Sequence, residues 1–120
     1  MRIKAKFIDK KNKDNLNLLF FDFKGEIIKA LILEMNIDIK IGDFVNLYIK
    51  PTLLCLSDKK IDFENVLEVD IKEIILGEII AKIICVLGDY EFEVLMLKEN
   101  VNFEKKAYLY FKSNFVVVEK

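Results

Sequence analysis

The chain has 120 residues, of which 53% are hydrophobic and 32% charged, and its formal net charge is −1. This composition predicts a folded chain of ordinary domain size and excludes a disordered segment. The near-neutral charge argues against binding of nucleic acid through a broad basic surface. No apolar run approaches the roughly 20 residues that a membrane-spanning helix requires. The N-terminal sequence MRIKAKFIDKK lacks the apolar core of a signal peptide, so we expect a cytoplasmic protein without membrane insertion.

Alternation of apolar and polar residues dominates the first half of the chain. A period of two, in segments rich in β-branched and aromatic residues, is typical of β-strands. Turn-forming residues separate the segments, and Pro51, which cannot donate to a strand ladder, ends the fourth. The connection at 35–43 has room for a helical turn. The strands predicted in this half are 4–9, 15–23, 26–33, 44–50 and 53–56.

The second half repeats the first. VNLYIKPTLLCL at 45–56 aligns with AYLYFKSNFVVV at 107–118, and each copy carries one lysine at the same place, Lys50 and Lys112. The offset between the copies is 62 there and 64 at the first strand, where Ile3 aligns with Leu67, because the connection at 99–105 is two residues shorter. The strands predicted in this half are 66–74, 78–86, 90–97, 107–112 and 115–118.

Five strands, present twice, indicate an all-β protein of two tandem five-stranded barrels of the OB type. The predicted first unit spans 1–57, a short charged linker spans 58–64, and the second unit spans 65–120. Each unit alone is marginal in size. Packing of the units, strand exchange between subunits or pairing with another subunit would each bury more apolar area.

The chain has no histidine and two cysteines. Histidine is a common general base and zinc ligand, and it is absent from the sequence. We therefore predict neither a metal site nor catalytic residues. Cys55 aligns with Val117 and Cys85 with Phe21. These alignments predict that both cysteines are small buried hydrophobic residues, with a disulfide or a reactive thiol as the alternative.

Short motifs recur in a fixed order along nearly the whole chain. They are Asn65–Leu67 at the opening of the second unit, Gly77–Ala81 between two strands, Lys29–Ile32 in a third strand, Ile41–Asp43 in a turn, and the closing segments Leu47–Thr52 and Leu109–Asn114. This ordered set resembles the TOBE family, the transport-associated OB domains, and in particular its tandem molybdate-binding form, the molbindin or Mop-like proteins.

The resemblance implies non-enzymatic binding of molybdate or tungstate, for storage, for sensing or as an accessory to transport, with no organic cofactor. Such proteins hold the oxyanion between units, so a homodimer or higher homo-oligomer and a molybdate transport ATPase are the implied partners. A tetrahedral dianion favours positive charge and directed donors. Carried over by position, the site residues are Lys50, Thr52, Asn65, Lys112 and Ser113.

The opening half of this site departs from the family pattern. Asp62 and Glu64 stand where the family has serine and arginine, and a carboxylate repels a dianion. Pro51 removes one N–H donor, and the opening motif of the first unit would precede Met1. These departures favour the alternative of a ligand-free TOBE-type module for interaction or dimerisation.

Strand phase predicts that Lys50 and Lys112 lie on an outer face, where the alternative to an anion contact is a solvated strand end. Tyr48, Tyr108 and Tyr110 are predicted on the same faces. We interpret them as a subunit interface. The alternative, a stacking platform for single-stranded nucleic acid, is disfavoured because the surrounding charge is not basic.

Overall fold

The structure is a computed structural model that describes residues 1–33 and 38–120. The helical turn considered for 35–43 falls partly outside these residues. The described chain is built of β-strands and one-turn 3-10 helices. The strands are β1 (Arg2–Lys13), β2 (Leu16–Phe23), β3 (Glu26–Ile32), β4 (Phe44–Tyr48), β5 (Cys55–Ser57), β6 (Asn65–Leu76), β7 (Ile80–Leu87), β8 (Tyr90–Leu97), β9 (Lys106–Phe111) and β10 (Val117–Glu119). The 3-10 turns are Pro51–Leu53, Lys98–Asn100 and Ser113–Phe115.

The strands form two antiparallel sheets of five strands each, which confirms the predicted fold class. One sheet has the order β10-β4-β1-β2-β3, and the other has the order β5-β9-β6-β7-β8. The short end strand of each sheet comes from the other half of the sequence, because β10 pairs with β4 and β5 pairs with β9. Each sheet is therefore completed by an exchanged strand.

The compact units follow this exchange. The β1 unit comprises Arg2–Ile49 and Lys112–Lys120, and the β6 unit comprises Met1 and Lys50–Phe111. The predicted boundaries at 57 and 65 thus describe the sequence repeat and not the compact bodies. Residues 58–64, expected to link the units, connect β5 to β6 inside the β6 unit. In this chain the exchange takes place between the two sequence halves, and exchange between subunits stays a prediction.

The register of the strands repeats as the sequence alignment predicts. Arg2 pairs with Tyr48 across β1 and β4, and Val66 pairs with Tyr110 across β6 and β9. The register shift after Phe7 in β1 also recurs after Ile71 in β6. The offsets of 64 and 62 are therefore structural equivalences. A residue in one unit can be compared directly with its counterpart in the other.

Alternation places the apolar residues of each strand in the core of its own unit. In the β1 unit, Phe7 and Phe21 are at most 3% exposed, and their ring centroids lie 5.6 Å apart. In the β6 unit, Leu67, Ile83 and Leu109 are at most 2% exposed. Burial of such side chains contributes about 25 cal/mol per Å² of apolar surface. The opposite face of each strand is the outer face of the unit, and the candidate lysines and tyrosines lie on it or directly after it.

Adjacent valines in β10 allow a test of the strand exchange. Val118, opposite Leu47, is 5% exposed, whereas Val117 is 51% exposed. A charge at position 118 would be buried without a partner, so Val118→Asp should destabilise the β1 unit by about 2–4 kcal/mol. Val117→Asp should cost less than about 1 kcal/mol. Hydrogen exchange should show at least about tenfold faster exchange of β4 amides in Val118→Asp.

The amides of β9 and β6 serve as the internal control in the same experiment, because β10 does not belong to their sheet. Faster exchange in β9 with an unchanged β4 would show that β10 closes the sheet of its own sequence half, contrary to the pairing described above.

Candidate functional site

In both repeats the fourth strand leads through a buried residue to an exposed lysine and a one-turn 3-10 helix. After β4 the chain passes through buried Ile49 to exposed Lys50, and the carbonyl of Lys50 accepts a hydrogen bond of 2.9 Å from the N–H of Leu53. After β9, Phe111 is buried, Lys112 is exposed, and the Lys112 carbonyl accepts one of 3.1 Å from Phe115. We call Pro51–Leu53 the first closing turn and Ser113–Phe115 the second.

The predicted outward position of both lysines is confirmed. The preceding residue, Ile49 or Phe111, is buried, so the alternation of the strand turns the lysine away from the core. The ammonium Nζ of Lys112 lies 5.9 Å from the ring centroid of Phe115, in cation–π contact. This contact keeps the positive charge of Lys112 beside the second closing turn. Phe115 was not singled out from the sequence, although it aligns with apolar Leu53.

The two hydroxyl candidates are not equivalent. Ser113 is the first residue of its turn and is 6% exposed, whereas Thr52 is the second residue of its turn and is exposed. At the offset of 62, Ser113 corresponds to Pro51, which has neither a hydroxyl nor an N–H. At its first position the second closing turn therefore carries a hydroxyl and an N–H donor that the first closing turn lacks at that position.

Asn65 occupies a buried polar position at the start of β6. It pairs with Phe111 across β9 and is 1% exposed, and Asp62 and Glu64, just before it, are exposed. Buried amide groups need hydrogen-bond partners, so this side chain is constrained by its surroundings. At the offset of 64 the corresponding residue is Met1, so the first repeat has no asparagine there.

The structure divides the predicted site residues between the two units. Lys50, Thr52 and Asn65 belong to the β6 unit, and Lys112 and Ser113 belong to the β1 unit. Within the β6 unit, the first closing turn packs against β8, while Asn65 lies on β6 beside β9. The second closing turn packs against β3. Each unit thus holds a part of the predicted set.

The outer tyrosines have neighbours within their own units. The guanidinium carbon of Arg2 lies 4.8 Å from the ring centroid of Tyr48, and Nη2 of Arg2 is 3.0 Å from Oε1 of Glu119. The ring of Tyr110 meets the ring of Phe63 edge-on at 5.3 Å. Burial raises the pKa of Tyr110, and the neighbouring Cys55 thiol adds to the rise. These neighbours leave less ring surface for stacking of nucleic-acid bases.

The prediction for the cysteines is confirmed for one residue and wrong for the other. Cys85 is 0% exposed, and burial raises the pKa of its thiol to about 12. Cys55 is exposed on β5, opposite Tyr110. Its aligned residue Val117 is exposed as well, so the alignment is correct. An apolar aligned residue therefore does not place a position in the core.

Within residues 1–33 and 38–120, no group of three or more Cys, Asp or Glu side chains has an arrangement that could hold a metal ion. Among the same residues, no helix has the length and apolar character needed to cross a membrane.

The fold defines a class: the chain is an all-β protein of two five-stranded OB-type units. No protein-family model matches the chain, and no curated protein sequence matches it. Among solved structures, the chain is similar to the cytoplasmic molybdate-binding protein ModG, in a crystal form with molybdate bound. The TM-score is 0.87, the match covers 99% of this chain and 94% of that chain, and 18% of the residues are identical. The two proteins therefore share the fold.

The two thiols should differ in reactivity. In the native chain at about pH 8, a maleimide should modify Cys55 and leave Cys85 unmodified, because only the thiolate reacts and burial disfavours it at Cys85. Mass spectrometry of tryptic peptides measures both sites. Unfolding in guanidinium chloride supplies the control, in which both should react. Modification of native Cys85 as fast as Cys55 would contradict the described core.

Proposed function

We propose that this chain binds a tetrahedral oxyanion, molybdate or tungstate, and that it does so without catalysing a reaction. One observation carries the proposal: an exposed lysine directly precedes a one-turn 3-10 helix at the same register in both repeats. The fold in which this device recurs is shared with a protein described as molybdate-binding. A surface lysine that recurs directly before a turn is a suitable contact for an anion, because its ammonium group supplies positive charge and N–H donors.

Lys112 with Ser113 and Lys50 with Thr52 are the proposed contacts, together with Asn65. The ammonium groups would neutralise charge on the dianion, and the hydroxyl and amide groups would donate directed hydrogen bonds. The second closing turn is the stronger half of this proposal. It combines a lysine held beside Phe115 with Ser113, whereas the first closing turn has Pro51 at the equivalent position.

In cellular terms, we propose a cytoplasmic protein of the TOBE or molbindin type that stores or senses the oxyanion or assists its transport. The similar protein ModG is described as cytoplasmic, which supports this location. A homo-oligomer is part of the proposal, because the predicted contacts are divided between two units and a second copy could supply what one copy lacks. A molybdate transport ATPase remains the proposed partner from the resemblance.

A ligand-free interaction module is the second candidate, and one observation favours it. Asp62 and Glu64 are exposed directly before Asn65, where the resembling family has serine and arginine. Carboxylates there would repel a dianion. In this alternative the closing turns serve only to complete the sheets.

The lysine of the second closing turn should dominate affinity. Lys112→Ala should weaken molybdate binding by at least about tenfold, since a charge-assisted hydrogen bond contributes about 1.5–3 kcal/mol. Isothermal titration calorimetry of the purified chain with molybdate, tungstate and sulfate measures this loss. Lys60→Ala, a change of an exposed lysine at 58–64, is the matched control and should leave affinity unchanged.

The serine and the threonine provide a finer comparison in the same titrations. Ser113→Ala should lower affinity more than Thr52→Ala, because Ser113 adjoins Lys112 in the stronger turn. Absence of heat and of any thermal shift with all three anions would sink the oxyanion proposal and leave the ligand-free module. Equal affinity in Lys112→Ala and the Lys60→Ala control would place the anion elsewhere on the chain.

A further inference from the structure

The charge of the chain is divided unevenly between its two compact units. The β1 unit contains 11 basic and 8 acidic residues, and the β6 unit contains 8 basic and 12 acidic ones, so their formal net charges are +3 and −4. The near-neutral charge of the whole chain is the sum of these two opposite values. The total charge therefore does not exclude a polyanionic partner at the β1 unit.

The outer face of the β1 unit carries three cross-strand pairs, each of one basic and one aromatic residue. The pairs are Arg2 with Tyr48 and Lys6 with Phe44 across β1 and β4, and Lys29 with Phe20 across β3 and β2. Residues directly opposite each other in a sheet have Cβ atoms about 5 Å apart. Each ring therefore has a positive charge beside it, and we call these six residues the basic–aromatic face.

Phe44 has the most exposed ring of this face. It is 64% exposed, and the lysine opposite it is exposed as well. The other two rings each contact a cation, since Arg2 lies over Tyr48 and the Nζ of Lys11 lies 5.6 Å from the ring centroid of Phe20. In sites for single-stranded nucleic acid, aromatic rings stack with bases while basic side chains contact the phosphates. Phe44 is the ring best placed for such stacking.

Basic residues outnumber acidic ones on this outer face. The strand registers place six basic and three acidic residues there. Asp22 pairs with Lys6 across β1 and β2, but all three carboxylates accept hydrogen bonds from donors of the protein, which partly neutralise them. These bonds join Glu119 Oε1 to Nη2 of Arg2 at 3.0 Å, Asp9 Oδ1 to the N–H of Lys10 at 2.8 Å, and Asp22 Oδ1 to the N–H of Gly25 at 3.1 Å.

The equivalent positions of the β6 unit carry a different chemistry. Of the six residues, only Tyr48 has a counterpart of its own type, Tyr110. The counterparts of Arg2, Lys6, Phe20, Lys29 and Phe44 are Val66, Asp70, Ile84, Glu93 and Lys106. The same framework thus forms without basic–aromatic pairs at these positions. The fold does not require the pairs of the β1 unit, which favours a role in binding.

We infer that the basic–aromatic face of the β1 unit binds a single strand of nucleic acid. Arg2 and Lys6, with Lys4 between them on β1, contact phosphates, and Phe44 stacks on a base. A single strand is favoured over a duplex because stacking on Phe44 requires an unpaired base. The face differs from the tyrosine platform considered from the sequence, since Tyr108 lies on the acidic β6 unit. The inference is independent of the proposed oxyanion binding and involves neither closing turn.

Substitution by the counterpart residues tests the two parts of this contact separately. Lys4→Glu with Lys6→Asp should weaken binding at least tenfold, because phosphate contacts become repulsive. Phe44→Lys removes the ring and adds a positive charge. It should weaken binding about fivefold if the ring stacks on a base, whereas purely electrostatic binding would become tighter. Fluorescence anisotropy measures these constants with the full chain, fluorescein-labelled single-stranded DNA and RNA of about 15 nucleotides, and no oxyanion.

Controls separate this contact from misfolding and from general charge effects. Lys4, Lys6 and Phe44 are exposed, so circular dichroism should be unchanged in each variant. Lys59→Glu with Lys60→Glu makes the same charge change at 58–64 and should leave affinity within about threefold of the unchanged chain. Raising the salt concentration from about 50 to about 200 mM should weaken binding roughly tenfold, because a few phosphate contacts release counterions.

Four results would overturn the inference. The first is no binding of single-stranded DNA or RNA in low salt at protein concentrations up to about 100 μM. The second is an equal loss of binding in the Lys4, Lys6 variant and in the Lys59, Lys60 control. The third is tighter binding in Phe44→Lys. The fourth is binding of duplex DNA, or of vesicles with anionic phospholipid, at least as tight as that of the single strand.

Discussion

The two crossings of the chain between its sheets are the constraint on which the rest of the structure depends. Buried Ile49 follows β4, and buried Phe111 ends β9. In both places the next residue, Lys50 or Lys112, begins a segment of the other unit. Each sequence half supplies four strands to one sheet and its fifth strand to the other sheet. The fold therefore requires both halves at once. This stabilises two units that would each be small, because a barrel of about 55 residues has marginal stability alone.

The same crossings account for the position of the candidate site. A strand that ends on a buried side chain turns its next side chain outward, and the 3-10 turn that follows fixes the direction of the chain. A lysine at this point is both exposed and well positioned, in two places per chain. The two repeats carry different residue types at aligned positions that the fold does not constrain. In the alignment of the repeats Ser113 corresponds to Pro51, and Lys4 corresponds to Glu68, so the two units share a framework and differ in chemistry.

Much of the fold could be predicted from the sequence, because alternation and repetition are local signals. The long strands, the offsets of 64 and 62, and the outward lysines all follow from them. The exchange could not be predicted, since β5 and β10 have three residues each and nothing in so short a strand specifies its partner. Cys55 was misplaced for a related reason: an apolar aligned residue, Val117, lies on the outer face of an end strand. The offset of 62 already separates Ser113 from Thr52, whereas the burial of Ser113 could not be predicted from the sequence.

The central claim is that a tetrahedral oxyanion binds where the lysine of a closing turn meets its hydroxyl neighbour. Crystals grown with molybdate, measured at the molybdenum absorption edge, test it most directly, because the anomalous signal locates the metal atom of the anion itself. We expect an anomalous peak for a molybdate ion whose oxygens lie within about 3 Å of the Nζ of Lys112 or Lys50. No peak at a saturating concentration of molybdate, or a peak remote from both closing turns, would contradict it.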